Sequence, residues 1–187
     1  MNRSYGSPIT CSQQLKPRDA VTAAVVRLEI YETMRRDLTF ECLNKAVEES
    51  ESLLCNGYVK SGNWTLAQIA CHLRLTIEKN MLGYPRWMVI VGYPLRPILR
   101  WLVLPKLLAG NSPNGFRTAA IFVPPENLDD VSELDQFKKC VESFMQSDQP
   151  LQAHPGFGNM SKDEFNHFHA AHAAHHLSFL HPVKDAG

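Results

Sequence analysis

Residues 161–180, S-K-D-E-F-N-H-F-H-A-A-H-A-A-H-H-L-S-F-L, constrain the fold of this chain more than any other stretch. Ser161 followed three residues later by Glu164 is a capping-box signature, which predicts a helix running to about Leu180, where His181-Pro182 closes it. Four of the eight histidines, His169, His172, His175 and His176, crowd into eight residues of this segment. On a helical projection Phe165, Phe168, His172, His176 and Phe179 share one side, while His167, Ala171 and Ala174 face away. The helix must therefore bury a face that carries imidazoles. His172 and His176, spaced i to i+4, stand one turn apart on that face, which is how a helix offers two nitrogens to one metal ion. Buried imidazoles need partners for their nitrogens, and a metal ion satisfies two at once. The competing reading is that these are ordinary interior or surface histidines on a His-rich helix.

Three further helices can be read upstream. From Thr39 onward Leu43, Ala46, Val47, Ser50, Leu53 and Leu54 recur at helical spacing, and Asn56-Gly57 supplies a stop. Thr65 with Gln68 forms a second capping box, after which Leu66, Ile69, Ala70, Leu73 and Ile77 define an apolar face ended by Gly83 and Pro85. A third helix follows Pro124-Pro125, with Asp129 and Asp130 near its positive end, Val131, Leu134, Phe137, Val141, Phe144 and Met145 on one face, and Pro150 beyond it. Residues 84–125 between the second and third helices form a long Pro- and Gly-rich connection with one helical piece near 95–104. No strand is evident, so the fold class is all-α. Residues 1–35 read as an N-terminal extension, polar at first and with a short helix over 19–36, and residues 36–182 as the folded domain.

At 187 residues and 44% apolar content the chain can bury one continuous core without disulfides or a structural metal. Its 19 basic and 19 acidic residues cancel, so nothing in the overall charge points to nucleic acid or to an anionic membrane, and a small-molecule substrate is expected. Cys11, Cys42, Cys55, Cys71 and Cys140 are odd in number and scattered, without a C-x-x-C pair, which fits a reducing, cytoplasmic setting. No export signal is read in the first thirty residues. The apolar run over residues 87–105 invites a membrane reading, but Arg96 and Arg100 with Pro94 and Pro97 fall in its middle. It is expected to be a buried or interface-covering connection, with peripheral docking through residues 87–108 and the cations Arg86, Arg96, Arg100 and Lys106 as a further reading.

A third metal ligand must come from outside the last helix, and His72 is the best candidate, being the other histidine set inside a core helix. It lies at the edge of that helix's apolar face, next to Gln68 and Thr76, which suits a cleft mouth better than a dry core. His154, in H-P-G-F-G-N-M-S, could reach the same end of the fold or simply shape a turn. His169 and His175 flank the pair as supporting donors or alternative ligands.

A lone histidine in the second helix followed by H-x-x-H-H in the last resembles the DinB/YfiT-like superfamily of metalloenzymes. The wording G-N-W-T-L-A-Q-I-A-C-H-L, H-P-G-F-G-N-M-S and H-A-A-H-H-L-S-F is similar to one branch of it, with L-S-F after the His pair where many members carry R-G-Q. The likeness runs from about Arg36 to His181. It implies a DinB-like four-helix bundle with a long crossover between helices 2 and 3, a homodimer, and His72, His172 and His176 as ligands of a divalent metal ion. Characterised relatives use a low-molecular-weight thiol, in bacillithiol or mycothiol S-transfer and in maleylpyruvate isomerisation with mycothiol or glutathione.

The function expected on these grounds is a metal-dependent enzyme whose ion, zinc or nickel, activates a thiol or water, as in a thiol transferase or a hydrolase. His154, His169 and His175 are the candidates for a catalytic acid or base. The alternative is a non-catalytic bundle that binds a small ligand or a metal. Three nitrogens with an open position favour catalysis, whereas a fourth protein ligand such as His169 or His154 would close the site.

Overall fold

A computed structural model of the chain describes residues 35–109 and 119–183. The extension over 1–35, apart from Arg35, lies outside the described residues, as does the short helix expected over 19–36 apart from Arg35 and Arg36. The described chain is mostly helical: α1 (Leu43–Asn56), α2 (Leu66–Leu82), α3 (Arg86–Leu108), α4 (Asp130–Gln146) and α5 (Lys162–Leu177). Two three-residue strands, β1 (Tyr58–Lys60) and β2 (Leu180–Pro182), pair antiparallel with Val59 opposite His181. The sequence reading sees no strand here, because three residues are too few to show a period of two. Leu180 and His181, expected to end the last helix, belong instead to β2, and α5 stops at Leu177.

The core lies where α2 packs on α4 and α1 on α5, and the spacing of the apolar residues explains it. Leu43, Ala46, Val47, Ser50 and Leu53 of α1 are buried, as are Leu66, Ile69, Ala70, Leu73 and Ile77 of α2. On α4 the buried stripe is Leu134, Phe137, Val141 and Phe144, whereas Val131 in the first turn and Met145 beside the stripe are exposed, contrary to expectation.

α5 departs further from the sequence reading. Its buried face is Phe165, His169, Ala170, Ala173, Ala174 and Leu177. Ala174 is thus in the core rather than facing away, and His172 and His176 flank the buried stripe, half-buried. Size misleads here, because alanines let helices approach closely, so the contact side of α5 carries its alanines together with Phe165, His169 and Leu177, while Phe168, His172 and His176 form its margin.

The connection after α2 is also more ordered than expected. α3 is one 23-residue helical rod, with a 3₁₀ turn at Tyr93–Leu95 and a π-helical turn at Leu99–Val103. Pro94 and Pro97 lack the amide hydrogens an α-helix would use, which accounts for the irregular pitch. The rod is long and apolar enough to cross a bilayer by length and composition, yet only 6% of its most apolar window is buried. The expectation of a buried connection is therefore corrected.

The start of α2 decides where His72 stands, and its first amides are all satisfied. Thr65 Oγ1 accepts from the Gln68 amide and Gln68 Oε1 from the Thr65 amide, as the capping box predicts. The Leu66 amide donates to Tyr58 Oη at 3.0 Å and the Ala67 amide to Asp130 Oδ1 at 2.7 Å, while the Tyr58 hydroxyl donates to Asp130 Oδ2 at 2.9 Å. Asp130, the first residue of α4, thereby joins β1, α2 and α4. Burial, opposed by the Leu66 bond and aided by the Asp130 carboxylate, pushes the Tyr58 phenol up to about 12. Tyr58→Phe leaves the Leu66 amide and an Asp130 oxygen without a partner and is expected to cost about 1–3 kcal/mol in urea unfolding. A loss under about 0.5 kcal/mol would show that the junction does not hold α2.

Candidate metal centre

Two of the three quoted motifs meet at the C-terminal end of α5. Ser61 donates from its amide to Phe179 O at 2.8 Å and from its hydroxyl to the same oxygen at 3.1 Å, just beyond the β1–β2 ladder. A Cβ on Gly62 would sit 3.1 Å from Phe179 Cβ, so the glycine of G-N-W-T admits the phenylalanine of H-H-L-S-F. Trp64 then stacks on the His176 ring, with centroids 5.4 Å apart and planes 18° from parallel, and stands 4.9 Å from His72.

His72, His172 and His176 come together here. The His172 Nε2 lies 3.3 Å from His72 Nε2 and 3.0 Å from His176 Nε2. Nitrogens bound at about 2.0–2.1 Å to one tetrahedral ion lie about 3.3–3.4 Å apart, so these separations are of the size a shared divalent ion requires. His72 is also oriented for it. Its Nδ1 stands 2.7 Å from the Phe122 carbonyl, which only accepts, so the proton is on Nδ1 and the Nε2 lone pair points at the cluster. His172 lacks such support: its Nδ1 is buried with no hydrogen-bond partner among the described residues, and its ring is held by stacking on Phe168.

The electrostatics agree with a ligand role. Burial, with the neighbouring His176 and His72 next, holds His172 well below its usual value. Burial followed by His72 does the same for His176, and burial lowers His72 against the opposing Phe122 bond. All three are then neutral at physiological pH, the form that coordinates a metal. Residue types, distances and protonation together fit a three-histidine divalent metal site.

The other candidate histidines are placed differently. His169, 1% exposed, lies in the core, where the Asn80 carboxamide joins its Nε2 to the Tyr84 hydroxyl. His154 shapes its turn: its Nδ1 accepts from the Gly156 and Phe157 amides at 3.1 and 3.2 Å, and its ring stacks on Phe157. Neither belongs to the ligand group. His175 lies beside it, with its ring centroid 5.0 Å from that of His176 and its Nδ1 3.2 Å from Arg35 Nη2. A guanidinium only donates, so His175 accepts on Nδ1 and carries its proton on Nε2.

Three contributors escape the sequence reading. Trp64 stands in a quoted motif with no role attached to it, although a tryptophan directly before a helix cap is a usable signal. Arg35 falls in the extension. The Phe122 carbonyl is a backbone group that no side-chain pattern reports.

Burial and then the charge of His154 bring His169 down to about 3, while burial and then Arg96 bring His154 down to about 4. Each is neutral when folded but titrates near 6.5 when unfolded. Their contribution is therefore complete above about pH 6.5 and is lost as the pH falls towards 4 and then 3. For His169 alone the slope approaches about 1.4 kcal/mol per pH unit. Urea midpoints measured from pH 7 to 4.5 are expected to fall steeply in the wild type and less steeply in His169→Gln, which keeps a partner for Asn80. Equal slopes would show that His169 is not held neutral.

Comparison with curated proteins and with solved structures gives no match. Residues 32–183 match a family described as protein of unknown function, DUF1569, and since they make up most of the chain, the protein belongs to that family.

Proposed function

We propose that this protein is a metal-dependent enzyme of the DinB-like class, a four-helix bundle in which His72, His172 and His176 hold a divalent ion, zinc or nickel. The observation that carries the reading is the convergence of three neutral Nε2 atoms, with the His72 lone pair aimed inward by the Phe122 carbonyl. The likeness of the three sequence motifs to that superfamily supports it. An ion held in this way lowers the pKa of a thiol or water reaching its remaining position, so that a nucleophile exists at neutral pH.

The protein's own groups have distinct tasks in this reading. His154 and His169 are engaged by backbone amides and by Asn80, which supports a centre of three protein ligands with room for a substrate. The Trp64 ring covers His176 and limits water on that side. His175, pushed down to about 4 by burial and by Arg35, stays neutral and presents an Nε2 proton, which suits it to donate to a leaving group or to orient a thiol. The rival reading is a binding protein without turnover, and it is favoured by the commitment of His154 and His169 to structural bonds.

Elemental analysis of tag-free protein tests the centre. About one equivalent of zinc or nickel is expected in the wild type, with affinity at least about a hundredfold weaker in His176→Ala. No metal in the wild type after loading and washing would remove the enzyme reading. With cobalt in the site, adding glutathione, mycothiol or bacillithiol is expected to raise a thiolate charge-transfer band; an unchanged spectrum with all three would exclude the thiol arm and leave hydrolysis.

A further inference from the structure

The long helix α3 is not explained by the metal centre. Its body side is fixed to the H-P-G-F-G-N-M-S loop: Arg96 Nε donates to Pro155 O at 3.0 Å, and Arg100 Nη1 to Phe157 O and Asn159 O, both at 2.8 Å. A Cβ on Gly92 would lie 2.5 Å from Pro155 O, so the rod meets this loop backbone to backbone. Leu104 is buried at the far end. The two arginines whose position argues against a membrane in the sequence are therefore bonded to the loop, although Arg100 stays exposed, and they leave the opposite side apolar.

That opposite side carries Trp87, Ile90, Val91, Ile98, Trp101 and Leu102, all exposed, with Ile90 at 71% and Trp101 at 78%. At 3.6 residues per turn they fall on one side of the rod, away from Gly92, Arg96 and Leu99. Tryptophans stand at both ends of the face, 14 residues or about 21 Å apart. Arg86 and Lys106 lie exposed just beyond them, neither paired with a carboxylate among the described residues. Residues 86–108 contain no Asp or Glu, although acidic and basic residues are equal in number over the whole chain.

We infer that α3 is a membrane-surface helix, lying in the interface of an anionic phospholipid bilayer with the Trp87–Trp101 face in the acyl boundary and Arg86 and Lys106 at the headgroups. Tryptophans at headgroup depth, an apolar face and flanking cations are the features of such a helix. The bonds of Arg96 and Arg100 to the loop hold the rod along the body, so it lies on the bilayer rather than crossing it. A second copy fits this face poorly. In a two-fold contact the face meets itself, which brings Arg86 and Lys106 against like charges with no carboxylate on the helix to answer them.

Flotation of the tag-free full chain with vesicles of phosphatidylglycerol and phosphatidylcholine tests the inference, alongside vesicles of phosphatidylcholine alone. The wild type is expected to float with the anionic vesicles, with blue-shifted tryptophan emission and weaker binding at high salt. Ile98→Glu combined with Trp101→Glu is expected to lower partitioning at least tenfold. Arg86→Glu combined with Lys106→Glu, which leaves the apolar face intact, is expected to lower it on anionic vesicles. Circular dichroism checks that both variants are folded. Absence of flotation, or flotation unaltered in both variants, overturns the inference. So does a dimer in sedimentation that the Ile98 and Trp101 substitutions dissociate while vesicles stay unbound, because the face would then be an interface between copies.

Discussion

The contact between the turn before α2 and the end of α5 is the constraint on which the rest depends. Phe179 packs where Gly62 has no side chain, Ser61 grips the Phe179 carbonyl twice, and the β1–β2 ladder continues the junction to Val183. These bonds fix the axial position of α5 against α2. His172 and His176 are on one helix and His72 is on the other, so a slip of one helical turn, about 5.4 Å, would move two nitrogens beyond any shared ligand. The L-S-F ending thus has a structural use: Leu177 enters the core, Ser178 takes a hydrogen bond from Arg35, and Phe179 forms the junction.

Much of this was legible in the sequence because it rests on periods and caps. Both capping boxes form as their residues predict, and the apolar faces of α1 and α2 are buried as their spacing requires. The histidines the motifs single out as ligands do converge. What could not be read depends on partners distant in the chain. The alanine face of α5 is its core side only because α1 lies close to it, and α3 is one rod only because the loop at residues 154–159 holds its arginines. Propensity condemns a helix containing Pro94, Pro97 and Pro105, and tertiary bonds override it.

The second motif is best understood as a mount. His154 closes a tight loop on its own amides, and that loop presents three carbonyl oxygens to α3. On the other side, Tyr84 lies edge-on to His154 and reaches Asn80, which meets His169 in the core. A single polar path therefore runs from the base of α3 through α2 to α5, one turn from His172. Through these hydrogen bonds and the Tyr84–His154 ring contact, the orientation of α3 is linked to the position of α5.

α5 holds histidines in two physical situations one turn apart. In the core, His169 Nε2 meets a neutral amide, that of Asn80. At the margin, the His72 tautomer is fixed by a carbonyl, so its lone pair must face His172 Nε2. A proton on His172 Nε2 can answer that lone pair or the one on His176, but not both at full strength, and it would leave the buried His172 Nδ1 as a bare acceptor. No arrangement of protons satisfies three neutral imidazoles whose nitrogens crowd so closely, and protonating them adds charges that burial and mutual repulsion oppose. A divalent cation would accept all three lone pairs at once, which is why this three-histidine group could hold a metal ion.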